Sequence, residues 1–349
     1  MEKKVNTELI VTHTHTHTLP PRSASALWPQ PRPKAWLALL LALCCRLALA
    51  QPLPFGLMGD TPYSAWERAQ LPGLMADMAA AGSAFVVHTG DFKSGADACS
   101  DALYQDRLAL FQTSRVPLVY VPGDNDWTDC HRRSNGAYDP LERLDRLRAL
   151  FFAGDHALGQ TPMTLLRQSA DPAYAAYREN VRWEAGGALF VALNLPGSDN
   201  NFHGVPGQTS PVPEFVARSA ANQAWLAQAF AHARDQRLAG VLIVIQANPG
   251  FEAARAGRRQ PGYDAFLSQL RQEVRRFAGP VVLVHGDTHR QRLDQPLTDL
   301  ASGEPLRNFT RVETFGWPFL GWVLGTVDAR DPRVFRFTAK PWQAPAPER

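Results

Sequence analysis

Beyond residue 50 the apolar positions fall into short unbroken runs, each followed by a longer segment with helical spacing. Phe55 to Met58 is the first run and ends at Gly59-Asp60. Ala65 to Ala81 then sets Trp66, Leu71, Leu74, Met75 and Met78 mainly on one side, which predicts a helix. The cycle repeats with a strand over Ser83 to His88, a helix over Asp101 to Thr113, a strand over Val116 to Val121 and a helix over Leu141 to Phe152. Ala188 to Leu195 and Val241 to Ile245 read as buried strands separated by a long amphipathic helix, Glu214 to Ala233. Tyr263 to Phe277 is helical again, and Val281 to Val284 is a strand that ends at His285-Gly286-Asp287. Continuous apolar strands alternating with helices predict an α/β fold whose sheet is covered on both faces. From Phe309 to Lys340 aromatic and polar residues alternate, and Asp328 to Pro332 reads as a hairpin connection between two terminal strands. No repeat or linker divides the chain, so residues 51–349 are expected to form one domain.

The first fifty residues have a different texture. A polar, Pro-rich stretch with the tract His13-Thr14-His15-Thr16-His17 leads to Lys34, the apolar run Trp36 to Leu43, and Ala48-Leu49-Ala50. A positive residue, a short apolar run and small residues before Gln51 predict a signal peptide with an N-terminal extension, hence a periplasmic or secreted protein. On this reading a membrane enters only through that segment if it stays uncleaved. Two of the four cysteines leave with it; Cys99 and Cys130 remain and are expected to pair in a disulfide. The whole chain of 349 residues, 45% hydrophobic and 20% charged, is ordinary for a globular protein, and its net charge of +3 is scattered. It carries no nucleic-acid-binding signature, no Walker lysine loop and no dinucleotide fingerprint.

Three successive strands end in Gly-Asp, at Gly59-Asp60, Gly90-Asp91 and Gly123-Asp124, and a fourth ends in Gly286-Asp287 with His289 two residues on. Ligands of open α/β sheets sit beyond the carboxyl ends of the strands. Carboxylates converging there repel one another unless a cation neutralises them. A divalent-metal centre follows.

The order and spacing of these blocks resemble the five-block signature of the calcineurin-like metallophosphoesterases, DxH, GDxx, GNH[DE], a lone His and GHxH, over roughly Phe55 to Asp294. That resemblance implies a four-layer α/β/β/α sandwich, two divalent metal ions and a small-molecule phosphoester substrate. It places Asp60 on the first metal, Asp91 between both, Asp124 on the second and His289 on the first. Other slots have changed. Pro62 stands where the first block has His, Asn125 where the catalytic His is expected, and Asp287 where the last block has its first His. Gln246 or Asn248 occupies the lone-His slot. Most replacements carry oxygen, a shell suited to Mn, Mg or Ca rather than Zn.

Two readings remain open at this point: a metal-dependent phosphomonoesterase or phosphodiesterase, and an inactive phosphoesterase-fold protein of the cell envelope that binds a ligand or partner. Asn125 offers a hydrogen bond to phosphate but no general acid, and His131 and His203 are candidates for protonating the leaving group. Lys93 is either a phosphate contact or a surface lysine. His88 and His285 are either supports of the site or core histidines. Asn194, Ser198, Asn200 and Asn201 either line the substrate mouth or are turn formers.

Overall fold

A computed structural model describes residues 51–344; the expected signal segment and extension, residues 1–50, lie outside the described residues. Among those described, the strands are β1 (Leu53–Met58), β2 (Val86–His88), β3 (Leu118–Tyr120), β4 (Leu166–Arg167), β5 (Val181–Ala185), β6 (Ala188–Ala192), β7 (Val241–Val244), β8 (Val281–His285), β9 (Arg292–Asp294), β10 (Phe309–Glu313), β11 (Gly321–Val327) and β12 (Phe335–Pro341). The helices are α1 (Ala65–Ala80), α2 (Asp101–Phe111), α3 (Pro140–Phe151), α4 (Pro213–Asp235), α5 (Phe251–Arg255) and α6 (Pro261–Arg276).

Two sheets form, as the four-layer sandwich implied by the resemblance requires, ordered β12-β11-β1-β2-β3 and β4-β5-β6-β7-β8-β10-β9. Strands β1 to β3 are parallel, as are β6, β7, β8 and β10, while the outer pairings are antiparallel. The unbroken apolar runs are explained by burial on both faces, with successive residues entering different cores. Leu242 and Val244 of β7 point between the sheets, where they join Phe55, Val87, Phe190 and Val284. Val241 and Ile243 point outward, onto Trp225 and Phe230 of α4 and Leu270 of α6. On the far side Met58, Val86 and Tyr120 pack with Leu74 of α1, Phe111 of α2 and Leu147 of α3. The layers are thus helix, sheet, sheet, helix.

The hairpin at 328–332 forms as expected between β11 and β12. Strand β5 was hidden in the pattern, although Gly186-Gly187, with φ of 58° and 79°, marks a two-residue hairpin turn between β5 and β6. Trp66, grouped by spacing with the buried face of α1, is half-exposed. Cys99 and Cys130 are buried with their Cα atoms 5.8 Å apart and their sulfurs at bonding distance.

Candidate functional site

All the parallel strands of both sheets deliver their carboxyl ends to one rim. Asp60 follows β1, Asp91 follows β2, Asp124 follows β3, Gln246 follows β7 and Asp287 follows β8. Hydrogen bonds cross between the sheets there: Asp287 N donates to Asp60, and Gln246 Nε2 donates to Asp91 and Asp124. Asp60, Asp91, Asp287 and His289 hold φ of 50°, 57°, 77° and 57°, a region residues other than glycine enter at a cost. Such strain collects at functional sites. Gly286 is required by crowding, since a Cβ there would overlap the Asp60 carboxylate.

Asp60 is fully buried. Its carboxylate accepts from Asp287 N at 3.0 Å and faces His289 Nε2 at 3.5 Å. The Nδ1–H of His289 donates to the Trp317 carbonyl at 2.8 Å, which turns Nε2 toward Asp60. Burial, then the negative charges of Asp287, Glu313 and Asp124, hold the Asp60 carboxyl well above the usual carboxylate range.

Asp91 is treated differently. Its Oδ1 accepts from Asn125 N at 3.0 Å, while its Oδ2 accepts from Tyr63 Oη, Asn125 Nδ2 and Gln246 Nε2 at 3.0, 3.1 and 3.2 Å. Burial followed by repulsion from Asp124 and Asp126 also raises its carboxyl strongly. Asp124 accepts from Gln246 Nε2 at 3.1 Å and from Ser198 Oγ at 2.8 Å. Asp287 accepts from Asn248 N at 2.8 Å and is pushed by burial to about 8.

The supporting groups resolve several open alternatives. His88 donates from Nε2 to Thr61 O at 2.8 Å and accepts from Gly90 N at 3.2 Å, and burial lowers its ring to about 4. It is a neutral strut between the first two loops. His285 is buried with Nδ1 on the Gly286 carbonyl, and burial likewise lowers it to about 4. Lys93 is neither a surface lysine nor a phosphate contact. It is buried, with Nζ on the carbonyls of Ser94 and Asp97 and on Asn135 Oδ1. Asn194 and Asn200 lie beneath the site as partners of Arg218, and Asn201 donates to Glu214. Of that loop, Ser198 alone bonds to a site carboxylate, Asp124, and it also bonds Asp129. Asn248 turns its side chain away, toward Gly250 N and Glu252.

His131 and His203 lie outside the carboxylate cluster. They line an adjoining cleft of about 370 Å³ with Arg132, Ser198, Asn201 and Asp129. The Nδ1 of His131 is held on Thr128 O, and His203 is spread over Asp199 and Ser210 on the exposed side.

Three contributors had weaker sequence signals. Ser64 caps α1 by accepting from Glu67 N, and Glu67 accepts from Tyr63 N, so a Ser-x-x-Glu cap aims Tyr63 at Asp91. Asp126 accepts from Asp91 N, Phe92 N, Gly123 N and Tyr120 Oη and so locks the second loop to the third. Asp129 pairs with Arg132 at 2.7 Å.

Among the described residues no Lys or Arg forms an ion pair with Asp60, Asp91, Asp124 or Asp287, and no three His, Cys, Asp or Glu side chains converge as a preformed metal shell. Two opposite ends of the cluster result. At Asp60 and His289 a carboxylate oxygen and an imidazole nitrogen stand 3.5 Å apart, a spacing that suits a shared cation with ligand bonds of about 2.0–2.2 Å. At Asp91 and Asp124 amide and phenol hydrogens already occupy the carboxylates.

Helices over two mixed sheets, with aspartates at the shared strand ends, make this the calcineurin-like metallophosphoesterase fold. Among solved structures the chain is similar to a dimetal phosphatase from Danio rerio, with a TM-score of 0.53 and 14% identity over 83% of this chain and 96% of that one. It also matches the purple acid phosphatase PPD1 of yellow lupin (Lupinus luteus), with a TM-score of 0.46 and 9% identity over 83% of this chain and 53% of that one. No protein-family model and no curated protein sequence matches the chain.

Proposed function

We propose that the chain is a divalent-cation-dependent hydrolase of small phosphoesters, exported and carrying a Cys99–Cys130 disulfide. The observation that carries this reading is the group of carboxylates at the rim, buried at Asp60, Asp91 and Asp124 and half-buried at Asp287, with no Lys or Arg paired to any of them among the described residues. Buried like charges of this kind demand a cation. An anionic phosphoester is repelled from the same cluster until one is present. Asp60 and His289 would hold it, with Mn, Mg or Ca favoured by the oxygen-rich surroundings. When bound, it supplies Lewis-acid polarisation of a phosphoryl oxygen.

The chain's own groups complete the site. Asn125 and Tyr63 hold the Asp91 carboxylate, and Arg132 offers phosphoryl oxygens a positive charge at the cleft mouth. His131 or His203, in that cleft, protonates the leaving group. The second reading, an inactive ligand-binding protein on this fold, draws on Asn125, which cannot act as a general acid.

The two readings differ in a thermal-shift titration run alongside hydrolysis of a chromogenic phosphodiester. Mn²⁺ is expected to raise the unfolding temperature, by about 2.7 kcal/mol of stability at a hundred times its Kd, and to switch on hydrolysis at the same concentrations. A shift without hydrolysis favours the binding protein. Neither effect with Mn²⁺, Mg²⁺, Ca²⁺ or Zn²⁺ removes the cation reading altogether.

A further inference from the structure

We propose that this chain binds one divalent cation rather than a pair, with the Gln246 carboxamide joining Asp91 to Asp124 by hydrogen bonds where a second cation would otherwise join them. The inference rests on the hydrolase reading above and sharpens it.

The orientation of the amide is fixed. Gly197 N–H donates to Gln246 Oε1 at 2.5 Å, so the oxygen must face Gly197 and the NH₂ must face the carboxylates. Rotating the amide would set two donors against each other at Gly197 and an oxygen against two aspartates. In its present orientation Gln246 shows Asp91 and Asp124 only hydrogens, and an amide nitrogen has no lone pair to give a cation.

The side chain also has nowhere to go. Gln246 is fully buried, and a Cβ on Gly90 would lie 2.7 Å from Gln246 Cγ. A neutral residue at this place satisfies oxygens of both Asp91 and Asp124.

Asp91 adds a second argument. A carboxylate oxygen has room for about two strong partners, and its Oδ2 already receives three donors, from Tyr63, Asn125 and Gln246. Asp91 therefore cannot offer that oxygen to a metal without losing bonds on three residues from three different loops. Asp60 has no such load. Among the described residues its one hydrogen-bond donor is a backbone N–H, that of Asp287, and His289 Nε2 faces it at 3.5 Å. One end of the cluster receives a single backbone donor and the other is saturated with donors, so a single cation belongs at the Asp60–His289 end.

The test counts the metal. The full chain is equilibrated with Mn²⁺, freed of excess, and assayed by elemental mass spectrometry and electron paramagnetic resonance. The expected result is one Mn²⁺ per chain with a mononuclear six-line spectrum. Gln246→Glu keeps the shape but replaces the donor with a third carboxylate, and is expected to raise the content to two with a spin-coupled spectrum. Two ions in the unaltered protein would overturn this inference and leave the hydrolase reading standing. No bound ion would overturn both. A Gln246→Glu protein that folds, judged by its circular dichroism, and still holds one ion would show that the amide is not what excludes the second.

Discussion

Asp60→Asn is expected to cut phosphodiester turnover at least about a hundredfold, the scale on which removing one preorganised charge-stabilising contact acts, while leaving the protein as stable as before or more so in EDTA. The two halves of this expectation have one cause. Asp60 is buried and has one donor partner, Asp287 N, which an asparagine oxygen keeps. The new Nδ2–H would face His289 Nε2, which now stands 3.5 Å from the carboxylate, and is placed to donate a hydrogen bond to it. A gain of about 1 kcal/mol is the usual size of such a bond. Turnover falls because the carboxylate that attracts the cation is gone. Kinetics paired with thermal unfolding in EDTA check both. A variant that loses activity and also melts early would mean that Asp60 holds the fold rather than the cation, and unchanged turnover would remove it from the site.

Arg218→Ala is expected to destabilise the protein by about 3–5 kcal/mol, the cost of breaking a buried ion pair from one side. Its guanidinium is fully buried and pairs with Glu214 at 2.5 Å, and it donates to Asn194 O and to Asn200 through both the backbone and the side chain. Those bonds hold a turn in which Ser198, Asp199, Asn200 and Asn201 all have φ between 49° and 56°, an arrangement that does not persist unaided. Without Arg218 the turn relaxes, and Ser198 leaves Asp124. Chemical denaturation measures the loss, and a change under about 1 kcal/mol would contradict the role given to this arginine.

The legible parts of this molecule were those that repeat. Apolar runs such as Val241 to Ile245 and helical faces such as 214–233 follow from periodicity, and Gly-Asp at successive strand ends marks the rim without any contact information. Less visible were features set by partners distant in sequence. Nothing local separates one sheet from two, because β1 and β7 are both buried on two faces, and only the register of β11 against β1 and of β10 against β8 assigns them. Tyr63 joins the site through a cap on the next helix. Gln246 was legible as an oxygen-bearing residue in a metal slot, but the direction of its amide depends on Gly197 N–H, 49 residues earlier in the chain. Lys93 reads as exposed until Asn135 and the carbonyls of its own loop enclose it.

The central claim is that the buried carboxylates at this rim serve cation-dependent phosphoester hydrolysis. Turnover of bis-p-nitrophenyl phosphate by the full chain, stripped with EDTA and resupplied in turn with Mn²⁺, Mg²⁺, Ca²⁺ and Zn²⁺, tests it most directly. The account predicts no turnover after stripping, recovery with at least one ion, and no recovery in Asp60→Asn. Turnover that persists in EDTA, or none with any ion, would contradict it.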